Sequence, residues 1–276
     1  MDASRIPCPA IVVGIDGSDA AIRAAQWAVD EAVERDIPLR LVHAIPAQIE
    51  PAPFSAVGNV NMEVEYAETA LRRACAAVTA TGKMVKVDTE LVRGDPGPTL
   101  IAESVDAAMI CIGSTGIGRL ARALLGSTAT DVAENAHCPV AIIRSHEGQA
   151  TRPNPLIVAA ANDSTESDAV VEMAVAEARL RKTPVLAVEV LRGRASRMPS
   201  SDWQHRVQCW KQSHPDVDID GAATRDDIAD FLGVTNRTIA LAVIGSSDAD
   251  QAANLIGPHD HPMIGHAECS VLVVRP

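Results

Sequence analysis

Residues 108–116 read Ala-Met-Ile-Cys-Ile-Gly-Ser-Thr-Gly, and after nine further residues comes Gly126-Ser127-Thr128. The run 108–112 is wholly apolar and predicts a buried strand, while 128–135 carries the pattern of a helix. A glycine loop between a strand end and a helix start lets backbone N–H groups approach an anion closely. The helix N-terminus adds partial positive charge. This is chemistry for holding the phosphates of a nucleotide. No Gly-Lys-Ser/Thr follows the glycines, so the stretch is not a Walker A loop and supplies no lysine as counter-charge.

The same design occurs twice in the chain. Ile11-Val12-Val13-Gly14-Ile15-Asp16-Gly17-Ser18 opens the first half, and Ile157-Val158-Ala159-Ala160-Ala161-Asn162-Asp163-Ser164 opens the second. The match continues without a gap: Trp27-Ala28-Val29-Asp30-Glu31-Ala32 aligns with Met173-Ala174-Val175-Ala176-Glu177-Ala178, and Pro38 with Pro184. Farther on, Gly126 pairs with Gly257, and Cys138-Pro139-Val140 with Cys269-Ser270-Val271. A period this long excludes a solenoid, so each copy is a domain. The expected boundaries are 1–146 and 154–276, with a polar, proline-containing linker around 145–155.

Bulk composition agrees with that division. A chain of 276 residues suits two domains that each bury a core. The core is built from small branched side chains, as in parallel α/β sheets. A net charge of −12 repels nucleic-acid backbones, and an aromatic content of 2% leaves little to stack bases on. Nucleic-acid binding is therefore disfavoured. The six cysteines are scattered without a CxxC pair, and Cys111, Cys138 and Cys269 fall on or beside apolar strands as small hydrophobes. No charged-then-apolar leader and no apolar run near membrane-spanning length is present, so a cytoplasmic, reduced setting is expected.

Along the first copy, 10–15 predicts a strand, Ser18 an N-cap, and 19–35 a helix. On that helix Ile22, Ala25, Ala28, Val29, Ala32 and Val33 return at helical spacing as the expected buried face. Strands are expected at 39–45 and 85–92, the latter with Val85, Val87, Thr89 and Leu91 alternating. A loop is expected at 46–58 and a long helix at 60–80. A turn at Gly94-Asp95-Pro96-Gly97 leads to a short helix from Pro98 through about 105. The unit closes on a strand at 140–144. The second copy repeats this order with a shorter second helix at 201–213. Strand–helix alternation with apolar strands means a parallel sheet covered on both faces. In such sheets ligands bind beyond the carboxyl ends of the strands, where strand order reverses, so Asp16 and Gly113 can meet at one crevice.

Several features together carry a resemblance: the Gly-Ile-Asp-Gly-Ser strand end, Leu41-Val42-His43-Ala44, the Val92-Arg93-Gly94-Asp95-Pro96 turn, the G-x2-G-x9-G-[S/T] loop and His137-Cys138-Pro139-Val140. With them the chain resembles the universal stress protein family in its tandem two-domain form, over nearly all of 9–276. The resemblance implies two tandem, open-twisted, five-stranded parallel sheets with helices on both faces, a Rossmann-like α/β fold. It also implies ATP binding, with Mg²⁺, or descent from an ATP binder. Carried over position by position, it nominates Gly14, Asp16, Ala44, Gly113, Ser114, Thr115, Gly116, Gly118, Arg119, Gly126, Ser127 and Thr128. It implies too that the terminal strands pair, making the halves a pseudo-dimer, and that two chains associate as a dimer.

The second copy departs from this pattern. Asn162 replaces Asp16, Asp248 replaces the second glycine, and Pro258 replaces the serine after a run one residue short. A carboxylate beside phosphate costs on the order of several kcal/mol of binding, and proline removes a donor. The first copy is therefore the expected ATP site and the second is not. The group His259, His261, His266 and Cys269 is not expected to hold a metal, and His43 and His137 are expected as strand-end residues. No serine or cysteine has a visible base partner, so no catalytic residue is nominated. Trp203 and Trp210 are expected to pack or to form an interface. Two rivals to a regulatory ATP binder are a slow ATPase and a nucleotide-free scaffold.

Overall fold

In the computed structural model, which describes residues 9–45, 56–116, 125–144, 155–161, 166–191, 201–235, 237–257 and 269–275, strands and helices alternate throughout. Among these residues, 9–116 with 126–144 form one unit and those from 155 onward another. The first runs β1 (Ile11–Gly14), α1 (Asp19–Glu34), β2 (Leu39–Ile45), α2 (Ala56–Thr79), β3 (Val87–Arg93), α3 (Pro96–Glu103), β4 (Met109–Gly113), α4 (Ser127–Asn135) and β5 (Val140–Ile143). Its strands lie in the order β3-β2-β1-β4-β5, and every pairing is parallel. The chain leaves β1 toward β2 on one side and returns to β4 on the other. A crevice opens at that reversal.

Burial explains the apolar runs. Ile11, Val12 and Val13 on β1 and Met109, Ile110 and Cys111 on β4 are each wholly buried, as strands covered on both faces require. Helix α1 begins where Ser18 accepts the Ala21 N–H on its Oγ at 3.1 Å. Its buried stripe is Ala20, Ala21, Ala24, Ala25, Ala28, Val29 and Ala32. The expected face was therefore turned slightly: Ile22 is only half-buried, and Val33 is 44% exposed. The reason is proximity, since alanines let the helix axis lie closer to the sheet than isoleucine or valine permits.

That closeness has a sharp consequence at the end of β4. A Cβ on Gly113 would lie 2.7 Å from the Ala20 carbonyl carbon and 2.8 Å from the Ala21 nitrogen. Backbone cannot give way as a side-chain tip can. At Gly14 the corresponding obstacle is Leu100 Cδ1 at 2.8 Å, a side chain of α3.

Elsewhere the expectations shift by a few residues. Helix α2 starts at Ala56, inside the stretch expected as loop, while 46–55 lie outside the described residues. Helix α3 starts at Pro96, with Asp95 as its N-cap residue and the proline in the first turn. The expected alternation holds at Val85, just before β3, and at Val87, and inverts beyond them: Thr89 and Leu91 are exposed, whereas Asp88, Glu90 and Val92 are half-buried. Arg40 explains the inversion, because its guanidinium on β2 holds Glu90 at 3.0 Å and also pairs with Glu103.

The second unit runs β6 (Leu156–Ala161), α5 (Ser167–Arg181), β7 (Val185–Val190), α6 (Ser201–Ser213), β8 (Ile219–Thr224), α7 (Ile228–Val234) and β9 (Ile239–Gly245). A 3-10 turn (Ser246–Gln251), α8 (Ala252–Ile256) and β10 (Ser270–Val274) follow. Its order is β10-β9-β6-β7-β8, parallel throughout and the counterpart of the first. The duplication extends to an ion pair between a buried glutamate and a partly exposed arginine. Glu31 of α1 meets Arg35, the residue capping that helix, at 3.0 Å, and Glu177 and Arg181 meet at 2.9 Å on α5. Trp203 and Trp210 on α6 are buried edge-to-face at 5.4 Å, with the Arg206 guanidinium against both rings. They pack, as expected of them. The linker around 145–155 falls almost wholly outside the described residues.

Replacement of Gly113 by alanine should cost about 1–3 kcal/mol, because α1 must move off β4. Urea unfolding will measure it, and a loss below a few tenths of a kcal/mol would refute the contact.

Candidate functional site

At the strand-order reversal of the first unit lies a cavity of about 460 Å³, within the usual range for small-molecule sites. One wall is the β1–α1 turn with Asp16 and Ser18, and the facing wall is the loop after β4 with Thr115 and Gly116. The N-terminus of α4, at Ser127 and Thr128, closes one end, and Ala44 at the tip of β2 lies at another. Four segments far apart in sequence thus converge.

Local bonds hold the two walls in register. The Ser18 N–H donates to Asp16 Oδ1 at 2.9 Å, and the Ser18 hydroxyl donates to the same oxygen at 2.6 Å. Ser18 Oγ also lies 3.4 Å from the Thr115 carbonyl oxygen, across the crevice. Asp16 Oδ2 turns toward Gly116, where a Cβ would stand 2.8 Å from it. A side chain at 116 would therefore press on the carboxylate. The Gly126 N–H donates to the Ser114 carbonyl at 3.0 Å, and the Ser114 N–H donates to the Ile143 carbonyl at 3.0 Å. These bonds pin the loop ends and aim the first turn of α4 at the cavity.

The nominated residues sort into three groups. Gly14, Asp16, Ala44, Gly113, Thr115, Gly116, Gly126, Ser127 and Thr128 all line the cavity. Ser114 does not: it is wholly buried behind the loop, and its hydroxyl has no hydrogen-bond partner among the described residues. Its backbone clamps the loop instead. Gly118 and Arg119 lie outside the described residues. The glycines also divide by cause, since Gly113 and Gly14 are required by packing whereas Gly126 has ordinary φ/ψ and room for a Cβ.

Four contributors lie outside the nominated residues. Tyr66, from α2, donates its hydroxyl to the Asp16 carbonyl at 2.9 Å and lines the cavity. His43 stands edge-to-face against it with ring centroids 6.0 Å apart. Leu100 and Pro96 of α3 add apolar floor. Nearby, Arg73 donates to the Gly17 carbonyl at 3.1 Å, tying α2 to the same turn. His43 and Pro96 fall inside motifs that carry the resemblance, whereas no motif announces Tyr66 or Arg73, whose contacts depend on where α2 crosses the sheet.

Burial pushes the His43 imidazole below its ordinary 6.5, against the opposing pull of the Ile15 carbonyl and the Asp16 carboxylate. Burial likewise raises the Tyr66 hydroxyl above 10.0, with Asp16 adding to the rise and Arg73 opposing it. Both groups are thus neutral at pH 7. Among the described residues no group of three His, Cys, Asp or Glu side chains is placed to hold a metal ion, and His259, His261 and His266 lie outside them. Among the same residues no helix is long and apolar enough to cross a membrane. Cys111, Cys138 and Cys269 are buried thiols, as expected.

The second unit ends β9 differently. Glu166 accepts a hydrogen bond from the Ser246 hydroxyl at 2.7 Å and one from the Ser247 N–H at 3.4 Å. Asp248, the acidic residue expected to face phosphate, is instead buried and accepts from Gln251 Nε2 at 3.4 Å. Gly257 does not open a helix as Gly126 does; it ends α8 with φ +68. Asn162 and Pro258 lie outside the described residues.

Comparison with known proteins bears on this geometry. Residues 9–144 match the model of the Universal stress protein family. The chain is 47% identical over 265 residues to Universal stress protein Rv2624c of Mycobacterium tuberculosis, covering 96% of each chain. It is 37% identical over 276 residues to Universal stress protein Rv3134c of the same organism, covering 98% of this chain and 97% of that one. A universal stress protein crystal structure from Archaeoglobus fulgidus superposes with a TM-score of 0.69 at 15% identity, covering 96% of each chain. That last likeness is one of fold.

His43 yields a pH prediction. A lowered folded pKa means the unfolded chain binds the proton more readily, so stability present above about pH 6.5 declines as pH falls below it. His43→Gln should flatten the fall of Tm between roughly pH 7.5 and 5. Parallel Tm profiles for the two proteins would contradict the burial argument.

Proposed function

The chain belongs to the universal stress protein family, and on that premise we propose that its first unit binds ATP as a regulatory ligand. The observation that carries the reading is the convergence on one cavity of Asp16, the Thr115–Gly116 loop and the N-terminus of α4. Main-chain donors at a helix start suit phosphate oxygens, and the helix dipole favours their charge. The apolar end of the cavity, with Val42, Ala44, Leu100 and Tyr66, suits a purine ring and ribose.

Mg²⁺ fits the same wall. The ion takes one or two protein carboxylates besides phosphate oxygens, and Asp16 is a carboxylate of the cavity lining. Bound there, it would supply positive charge against the triphosphate. In this proposal Asp16 orients the nucleotide and ion, while Ser18 fixes the carboxylate rotamer through its two bonds to Oδ1.

The signal is occupancy. ATP adds anionic partners for the loop after β4 and the α4 start, favouring one arrangement of both, and a partner protein or second subunit reads that arrangement. Among the described residues the cavity lining offers Asp16 and His43 as bases, and this proposal assigns Asp16 to the nucleotide and ion, which supports binding over turnover. A dimer of two chains and a cytoplasmic setting belong to the same proposal.

Calorimetric titration should find a single ATP per chain. Asp16→Ala should weaken it by roughly tenfold or more, the effect of losing one charge-assisted contact. Gly116→Glu should abolish ATP binding, with only a modest fall in ligand-free Tm as the Asp16 side chain gives way. Stabilisation of that variant by ATP to the wild-type extent, or two ATP molecules per chain, would defeat the reading. ATPase turnover lost in Asp16→Ala would establish an enzyme instead.

A further inference from the structure

Beyond the carboxyl end of β9 the second unit already carries an anion. Glu166 directly precedes α5, and in the internal repeat it stands where Ala20 stands in the first unit. Both residues press on the glycine that ends the facing strand. Ala20 abuts Gly113 through backbone and methyl, and Glu166 abuts Gly245 through its carboxylate, with Oε2 2.5 Å from where a Cβ would be. Ser246 and Ser247 follow β9 as Ser114 and Thr115 follow β4. The Ser246 hydroxyl donates to Glu166 Oε1 at 2.7 Å, and the Ser247 N–H donates to Oε2 at 3.4 Å.

We propose that Glu166 is a built-in anion that fills the second unit's copy of the oxyanion position. On this view the second unit is closed to phosphate by an internal ligand. Three observations point the same way. Of the two donors after the strand, Ser247 stands where the cavity-lining Thr115 stands and Ser246 where the buried Ser114 stands, and one carboxylate engages both. That carboxylate sits at the start of α5, where negative charge is favoured. Asp248, the sequence's nominal obstacle, is buried against Gln251 and is not what meets Ser246 and Ser247. A tethered carboxylate acts at an effective concentration of roughly millimolar or above, so it outcompetes weakly held free oxyanions. The consequence is a second unit whose strand-end loop is ordered by its own side chain and does not respond to nucleotide. This inference concerns the second unit and does not depend on the first unit binding ATP.

Two measurements on the full chain test it. In the first, Gly116→Glu silences the first unit, and Tm is followed with inorganic phosphate against chloride at equal ionic strength. Phosphate should raise the Tm of Gly116→Glu/Glu166→Ala, with a rise that grows with the logarithm of its concentration, and should leave Gly116→Glu unmoved. Equal responses in the two proteins overturn the proposal. The second measurement serves even where Glu166→Ala does not fold, because Glu166→Gln keeps the side chain's shape and removes its charge. In Gly116→Glu/Glu166→Gln the neutral amide should yield the Ser246 and Ser247 donors to phosphate, so phosphate should raise its Tm. A Tm as unmoved by phosphate as that of Gly116→Glu overturns the proposal. Absence of ATP binding by the native chain instead ends the reading of the first unit and leaves the phosphate titration to decide this one.

Discussion

Between the end of β4 and the first turn of α1 there is no room for a side-chain atom. With a Cβ on Gly113 excluded by the Ala20 backbone, the helix start is pressed onto the strand end. Much of the site follows from that contact. It brings the β1–α1 turn beside the loop leaving β4, so that Ser18 reaches both Asp16 and the Thr115 carbonyl. The same approach leaves the first turn of α4 facing the crevice, across from Asp16. An alanine-rich helix is the other half of the constraint, because larger side chains would hold α1 away and separate the two walls.

The second unit obeys the same constraint with a different outcome. Its glycine, Gly245, is equally crowded, but by the carboxylate of Glu166. Packing inside the two units is otherwise closely matched, down to the Glu-Arg pair at the end of the first helix of each. Two units can thus share a sheet order and a helix-to-strand contact while one side chain separates an open crevice from a self-filled one. Fold and site are set by different residues, which is why duplication preserves the first more readily than the second.

The cavity also depends on α2, which no motif marks. Tyr66 reaches the Asp16 carbonyl and Arg73 the Gly17 carbonyl, so the helix buttresses the turn that presents Asp16. His43 packs on the Tyr66 ring from β2. With aromatic residues at 2% of the chain, the placement of its one tyrosine at the cavity is a distinctive feature of this molecule.

Order along the chain was legible from residue type alone. Apolar runs, helical spacing, Ser18 as a cap, the repeat, and the glycine loop near Asp16 all express preferences that act between neighbours. Those preferences predict β2 and α6 at their observed bounds and most other elements to within a few residues. What residue type did not carry is how closely layers approach and how helices are rotated upon them. The rotation of α1, the inversion of the β3 faces by Arg40, the withdrawal of Ser114 behind its loop, and the meeting of Glu166 with Ser246 and Ser247 are all of this kind. Each depends on contacts between segments tens of residues apart, and those distances exist only once the sheet has set the register and the helices have packed against it.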